Sequence, residues 1–364
     1  MLTFTPTPDR FVVEEIPAYL PRGDGGHTFL WIEKRGLTTF DAIARLAERL
    51  ARPARDFGYA GLKDKHATTR QWLSVPDVDP ERAVADGMWG PELVSRRAEA
   101  ASPPQPIAGG AGPSQGPALK IVSAARHPHT LRHGHLRGNR FEVVLLGPGS
   151  ADEVAALAGR FRALAASGVP NRFGAQRFGA GGDNAAQGLA LLRGERRERD
   201  RRKRRLLLSA LQSSVFNRYL ARRAAGAPLS TVLAGDVLQK TDTGGLFVSA
   251  DPAVDQPRVD AGAVVPTGPL PGTREIEPPP DTPARALEDA AIAEAGATRE
   301  DFARAGRELP GARRPVLLAV TLDGEGSAEE PAAEPDVRAL RLRFTLPPGG
   351  YATVVVAAVT GSAE

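Results

Sequence analysis

Tyr59-Ala60-Gly61-Leu62-Lys63-Asp64-Lys65-His66-Ala67-Thr68-Thr69-Arg70-Gln71-Trp72 is the most informative stretch of the chain. An aspartate stands between two lysines, close to a glycine. Cations beside a carboxylate favour its charged form and lower its pKa. That suits a nucleophile or base that must be ionised at neutral pH. Lys-Asp-Lys is also ordinary surface chemistry, and structural ion pairs perturb carboxylates as well. On charge pattern alone, an exposed turn is the commoner reading.

Outward from this segment the chain alternates strand and helix signals. Phe11-Val12-Val13 begins a strand pattern and His27 to Ile32 alternates like another, with a turn signal at Arg22 to Gly26 between them. Thr39 to Leu50 reads as an amphipathic helix. Thr39 is its expected N-cap, and Phe40, Ile43, Ala44, Leu46, Ala47 and Leu50 form its apolar face. Phe141 to Leu146 looks like a buried strand and Asp152 to Ala166 like a helix. Leu207, Leu211, Val215 and Tyr219, with Leu208, Phe216 and Leu220, have the spacing of a helix core. Leu340 to Phe344 and Ala352 to Val359 are strand-like, separated by the turn Pro347 to Gly350. Ala101 to Pro117, Glu275 to Pro283 and Asp323 to Asp336 read as solvated loops. Alternating strands and helices without a Rossmann or P-loop pattern imply an α+β or mixed α/β chain.

Several segments, in order, resemble the TruD family of tRNA pseudouridine synthases. Gly61 to Ala67, with Thr69 and Gln71, is similar to that family's signature. His135 to Phe141 resembles its Gly-Asn-x-Phe segment, and Gly168 to Gly179 its Pro-Asn-x-Phe-Gly-x-Gln-Arg-Phe-Gly segment. Leu208 to Asn217, then Leu220 and Arg223, resembles the helix that follows, and Leu346 to Thr353 its Leu-Pro-x-Gly-x-Tyr/Phe-Ala-Thr turn. The resemblance runs from Phe11 to Val356.

The resemblance implies an α+β pseudouridine-synthase catalytic domain with a mixed, mostly antiparallel sheet, residues 1–168 and 315–364. An α/β TRUD domain, residues 169–314, would be inserted into it. The implied reaction detaches the uracil of a tRNA uridine, expected at position 13 in the D arm, and rejoins it through C5. It needs no cofactor. Asp64 takes the role of the family's nucleophile, expected as a buried carboxylate reached by a base flipped into a cleft between the domains. Phe141 corresponds to an aromatic near the bound base, and Asn139 has an amide able to read a uracil edge or hold the catalytic loop. In a strand these two point to one side. Phe11 and Tyr351 match aromatics that line the site, and Glu15 matches an acidic position. Lys63, Lys65 and Arg177 complete the expected RNA-binding set. For Phe11 and Phe141, core packing is the competing reading.

Composition fits this picture and excludes others. The 364 residues suggest two domains, and 41% hydrophobic residues suffice for ordinary cores. There is no cysteine, which removes disulfides, thiolate metal sites and cysteine nucleophiles. Met1 to Arg10 lacks a signal pattern and no run approaches a membrane span, so a cytoplasmic chain with no membrane partner is expected. The net charge of +4 is a modest hint of an acidic partner, here tRNA. The oligomeric state is open; a monomer fits. Arg193 to Arg205 holds nine bases and three acids. It reads either as a phosphate-binding run or as a solvated helix with pairs Glu195–Arg199 and Glu198–Arg202.

His127, His129, His133 and His135 form a rival motif for a metal. The neighbours Arg126, Arg132 and Arg137 disfavour a cation, and the resemblance implies a basic, RNA-contacting stretch here, so no metal is expected. No Gly-x-Ser-x-Gly elbow supports hydrolysis. The competing class is an RNA-binding module that keeps the fold without the reaction. The chain departs from the family pattern at Arg10, at Gly25-Gly26, at Arg172 and at Val356-Ala357-Ala358, none of which removes Asp64.

Overall fold

Alternation of inward apolar and outward polar residues builds the large sheet of this protein, a computed structural model that describes residues 1–85, 88–89, 116–179, 181–331 and 337–362. The chain splits into two compact units, Met1–Ser167 with Val320–Ala352, and Gly168–Ala319 with Thr353–Glu364. The expected C-terminal boundary differs, since Thr353 onward groups with the second unit.

In the first unit nine strands form one sheet among the described residues. They are β1 (Phe11–Pro17), β2 (His27–Arg35), β3 (Gly58–Tyr59), β4 (Thr68–Pro76), β5 (Met88–Trp89), β6 (Ala118–His127), β7 (Leu136–Pro148), β14 (Thr321–Pro331) and β15 (Val337–Leu346). The order is β14-β15-β7-β1-β4-β2-β6-β5, with β3 also on β4. β1 and β4 pair in parallel, and the other pairings among the described residues are antiparallel. The fold is therefore α+β with a mixed, mostly antiparallel sheet.

Helices cover separate parts of one sheet face. Leu30 and Ile32 of β2, Leu73 of β4 and Ile121 of β6 enclose a core with α1 (Thr39–Arg49), through its Ala42, Ile43 and Leu46. Helix α3 (Ala151–Ser167) packs on β14 and β15, where its Phe161 meets Phe344 edge-on at 5.7 Å. A short helix, α2 (Pro80–Ala85), lies against β6. The N-cap of α1 is Thr38, not Thr39; Thr38 closes a capping box with Asp41. This one-residue shift turns Thr39 into the core and leaves Phe40 and Ala44 exposed.

The second unit pairs Val169–Pro170 (β8) with Leu317–Leu318 (β13). It also holds an antiparallel sheet of β9 (Val237–Lys240), β10 (Leu246–Val248), β11 (Val264–Leu270) and β12 (Ala312–Pro315), ordered β10-β9-β11-β12. Its central helix α5 (Arg201–Gly226) packs on β11, on α4 (Asn184–Leu192) and on α7 (Pro283–Glu294); α6 (Pro252–Asp260) and α8 (Arg299–Arg304) complete the unit. Leu207, Leu208, Leu211, Val215, Phe216, Tyr219 and Leu220 are all buried, as the spacing predicts.

Three expectations need correction. Ala352–Thr360 is a helix, α9, not a strand. Its buried residues are Ala352, Val354, Val355, Val356 and Val359; all but Val354 follow a helical period that the β-branched run obscures. Thr321–Pro331 is strand β14 rather than a solvated loop; it takes the sheet edge, where charged residues are common. Arg193–Arg205 is not one helix. Gly194, at φ 78°, follows the end of α4, and the Asp200 side chain caps α5 by accepting from Arg202 and Lys203 N–H. Glu195 and Glu198 then pair with Arg193, and with Arg196 and Lys203. The expected loop Ala101–Pro117 lies outside the described residues except for its last two. Among the described residues no helix is long and apolar enough to cross a membrane.

Gly138 of β7 tests the sheet. A Cβ there would stand 2.3 Å from the Leu346 carbonyl oxygen of β15. Gly138→Ala should cost about 1–3 kcal/mol through overpacking, whereas Gly26→Ala, with nothing within 4 Å, should stay within about 0.5 kcal/mol. Urea unfolding of both variants checks this; equal midpoints would refute the close approach.

Candidate active site

The loop Gly61–Ala67 joins β3 to β4 and is held by buried polar groups. Lys34 occupies an inward position of β2, after Leu30 and Ile32, and is fully buried. Its Nζ donates to the carbonyls of Leu37 at 2.7 Å, Asp64 at 3.0 Å and Lys63 at 3.4 Å. The Lys63 backbone N–H donates to Thr39 Oγ1 at 2.9 Å, and Thr39 Oγ1 donates to Gln71 Oε1 at 2.9 Å. Gln71 Nε2 in turn donates to the Gly61 carbonyl at 3.2 Å. The backbone is thus pinned at Gly61, Lys63 and Asp64.

Lys63 turns its side chain inward and meets Glu15 of β1 at 2.7 Å, with both side chains enclosed. Glu15 Oε1 also accepts from the Trp72 N–H at 3.2 Å. Burial raises the Glu15 pKa above the ordinary carboxylate value, and the Lys63 charge opposes the rise. Burial likewise pushes Lys34 down to about 8, against the pull of the Asp64 carboxylate.

Asp64 itself is exposed. Its Oδ1 accepts the His66 N–H at 2.8 Å, an Asx-type turn that aims the carboxylate away from the core. Two expectations therefore change. The carboxylate is not buried, and Lys63 does not flank it, because Glu15 takes its ammonium. Lys65 is exposed on the same loop.

The expected neighbours fall on one sheet face. Antiparallel pairing sets Asn139 opposite Glu15 and Phe141 opposite Val13. Phe11 and Phe141 are each 6% exposed and sit in the core: their rings stack at 6.3 Å, and Phe141 stacks on Phe344 at 5.5 Å. Asn139 Oδ1 is buried and has no hydrogen-bond partner. Tyr351 is half-buried, directly after the Pro347–Gly350 turn. Arg177 lies in the second unit, where its Nε donates to Ser213 Oγ at 3.1 Å. Nearby, Asn217 bonds both the N–H and the carbonyl of Phe173 at 2.9 Å, so much of this segment serves the local fold. Among the described residues no group of three or more His, Asp or Glu side chains is placed to hold a metal ion.

Sequence reasoning misses Lys34 and the inward role of Thr39. A lysine in phase with Leu30 and Ile32 is the signal that marks the first.

The α+β fold with its mixed sheet thus carries one exposed aspartate on a loop clamped by two buried lysines. The family model of tRNA pseudouridine synthase D (TruD) matches residues 3–201 and 197–359. The chain is 44% identical over 357 residues to tRNA pseudouridine synthase D of Anaeromyxobacter sp. (strain Fw109-5), covering 96% of this chain and 90% of that one. It is 37% identical over 347 residues to a protein of that name from Thermus thermophilus, covering 95% and 85%. A crystal structure of a putative tRNA pseudouridine synthase D from Methanosarcina mazei shares the fold at TM-score 0.68, with 21% identity over 98% of this chain and 94% of that one. The chain belongs to the tRNA pseudouridine synthase D family, an enzyme family of the isomerase class.

Lys34 generates a pH test. Its folded pKa of about 8 lies below its ordinary value of 10.5, so the unfolded chain holds the extra proton between these values. Folding stability should therefore rise with pH across that window, by about 3 kcal/mol at most. Lys34→Met lacks this contribution. Urea unfolding near pH 7 and near pH 10 should show wild type gaining on the variant at the higher pH; a constant gap would contradict the buried charge.

Proposed function

We propose that the protein converts a uridine of tRNA to pseudouridine, with the D-arm uridine at position 13 as target and Asp64 as nucleophile. The observation that carries this reading is the family match along nearly the whole chain with the Asp64 loop intact. In the reaction the N1–C1′ bond breaks, uracil turns, and a C5–C1′ bond forms. The C5 proton is lost and N1 gains one, so the result is an isomer and no cofactor enters. The carboxylate attacks or deprotonates a reacting carbon, much as glycosidase carboxylates meet a cationic sugar centre.

The target base must leave its stack to reach Asp64, which costs a few kcal/mol. The unpartnered Asn139 Oδ1 supports a role in reading the uracil edge, where N3–H is the donor it lacks. Phe11, Phe141 and Tyr351 supply apolar wall, with Phe141 held by its ring stack. Glu15, Lys63 and Lys34 fix the loop without touching substrate. Lys65 and Arg177 are the cations assigned to phosphate. Folded RNA is read mostly through shape and backbone.

Purified wild type and Asp64→Asn should be incubated with unmodified tRNA, and pseudouridine mapped by carbodiimide-adduct primer extension. The expected result is a stop at position 13 with wild type only, while Asp64→Asn binds tRNA with wild-type affinity. Modification by both proteins would remove Asp64 from the chemistry. Binding without modification by either would favour an RNA-binding module.

A further inference from the structure

The turn between β6 and β7 closes a cavity of about 720 Å³ that the proposed reaction does not use. Its wall contains Tyr19, Arg22, His27, His127, Arg132 and His135. The volume suits a group of nucleotide size. Tyr19 stacks on His127 at 5.1 Å and 18°, and the Tyr19 hydroxyl bonds His135 Nδ1 at 2.7 Å. This arrangement is built rather than incidental. Gly25 presses so close to the backbone of His127 and Pro128 that a Cβ there would fall 2.5 Å from it, and Gly23 N–H bonds the Arg126 carbonyl at 2.9 Å. Gly134 N–H bonds the Ala60 carbonyl at 2.8 Å, so the turn leans on the chain that leads into the Asp64 loop.

The chemistry of the wall selects its occupant. None of its lining residues is acidic. Arg22 and Arg132 are exposed and form no salt bridge among the described residues, so their charges are available to an anion. His127 is 5% exposed, and its Nδ1 and that of His27, its cross-strand partner, are buried without hydrogen-bond partners. Burial, with the charge of Arg22 next, holds the His127 pKa below the ordinary imidazole value, so the ring is neutral and can both donate and accept. A planar aromatic platform with two free guanidinium groups and no carboxylate matches a base with its phosphate, and repels a metal ion or an amine.

We propose that this cavity holds one nucleotide of the RNA substrate other than the target uridine, its phosphate between Arg22 and Arg132 and its base against Tyr19, which His127 backs. The proposal rests on the tRNA reading above. It gives the enzyme a second grip on unstacked RNA, which would set which arm is presented to Asp64.

Imidazole NMR tests it directly, because the chain has six histidines and His66 lies beside Asp64. Uridine 5′-monophosphate should shift the His27, His127 and His135 signals saturably and leave His66 unmoved. An equal response to inorganic phosphate would overturn the nucleotide assignment, as would no response. In the second arm, Arg22→Ala with Arg132→Ala should raise the KM for tRNA about 10-fold. The turnover at saturation should hold within about threefold, and the slope of log K against log salt should fall by about one. Unchanged KM and slope in an active double variant would overturn the inference while leaving the proposed function standing. Absence of pseudouridine from wild type would instead remove the function itself.

Discussion

Glu15 and Lys63 form an ion pair with 0% and 3% of their side chains exposed, and the placement of Asp64 follows from it. Taking two charges out of water costs several kcal/mol per ion, which their attraction offsets only when further hydrogen bonds are made. Here the second Glu15 oxygen meets the Trp72 N–H, and the Lys63 backbone meets Thr39. The pair is therefore best understood as a registry device. It obliges the residue before Asp64 to point inward, and chain geometry then sends the Asp64 side chain out. Lys34 does the same to the backbone on the other side, bonding three carbonyls that loop residues would otherwise leave to solvent.

Strand alternation keeps this charge system apart from a second one. On β1, Glu15 faces the enclosed side, while Glu14 faces the other and pairs with Arg70 and Arg140. Arg70 reaches on to Glu33 and Arg140 to Asp323, giving a ladder across β2, β4, β1, β7 and β14. These pairs are partly hydrated and each contributes little. A one-residue shift of β1 that brought Ile16 to the place of Glu15 would leave the enclosed Lys63 ammonium without its carboxylate. The inward ion pair thus penalises that register more heavily than apolar residues alone could.

Much of this is legible in the sequence and some of it is not, for identifiable reasons. The α5 core is legible because seven large apolar residues repeat with one period. The Asp64 loop is legible because its residue types recur together in a known family. The partner of Lys63 is not legible, since Glu15 lies 48 residues away and only the fold brings them together. Thr38 and Thr39 are both capping residues by type, and the choice between them depends on which one the core needs. Ala352 to Val359 misleads because three consecutive valines favour a strand locally, although the segment forms a helix. Phe141 is read as a candidate platform for a base, and its stacked neighbours on β1 and β15 show it to be core as well.

An exposed carboxylate on an immobile backbone is a coherent design for the proposed reaction. A buried carboxylate would raise its own pKa through desolvation, as burial raises that of Glu15. An exposed one on a loose loop would have to be ordered when RNA binds, at a cost in affinity. Here the ordering is done during folding, by the buried Lys34 and Lys63, and the carboxylate is left exposed. The same division of labour explains why cations surround the loop without neutralising Asp64. Lys63 is occupied by Glu15 and Lys34 by carbonyl oxygens, so neither ammonium pairs with the Asp64 carboxylate.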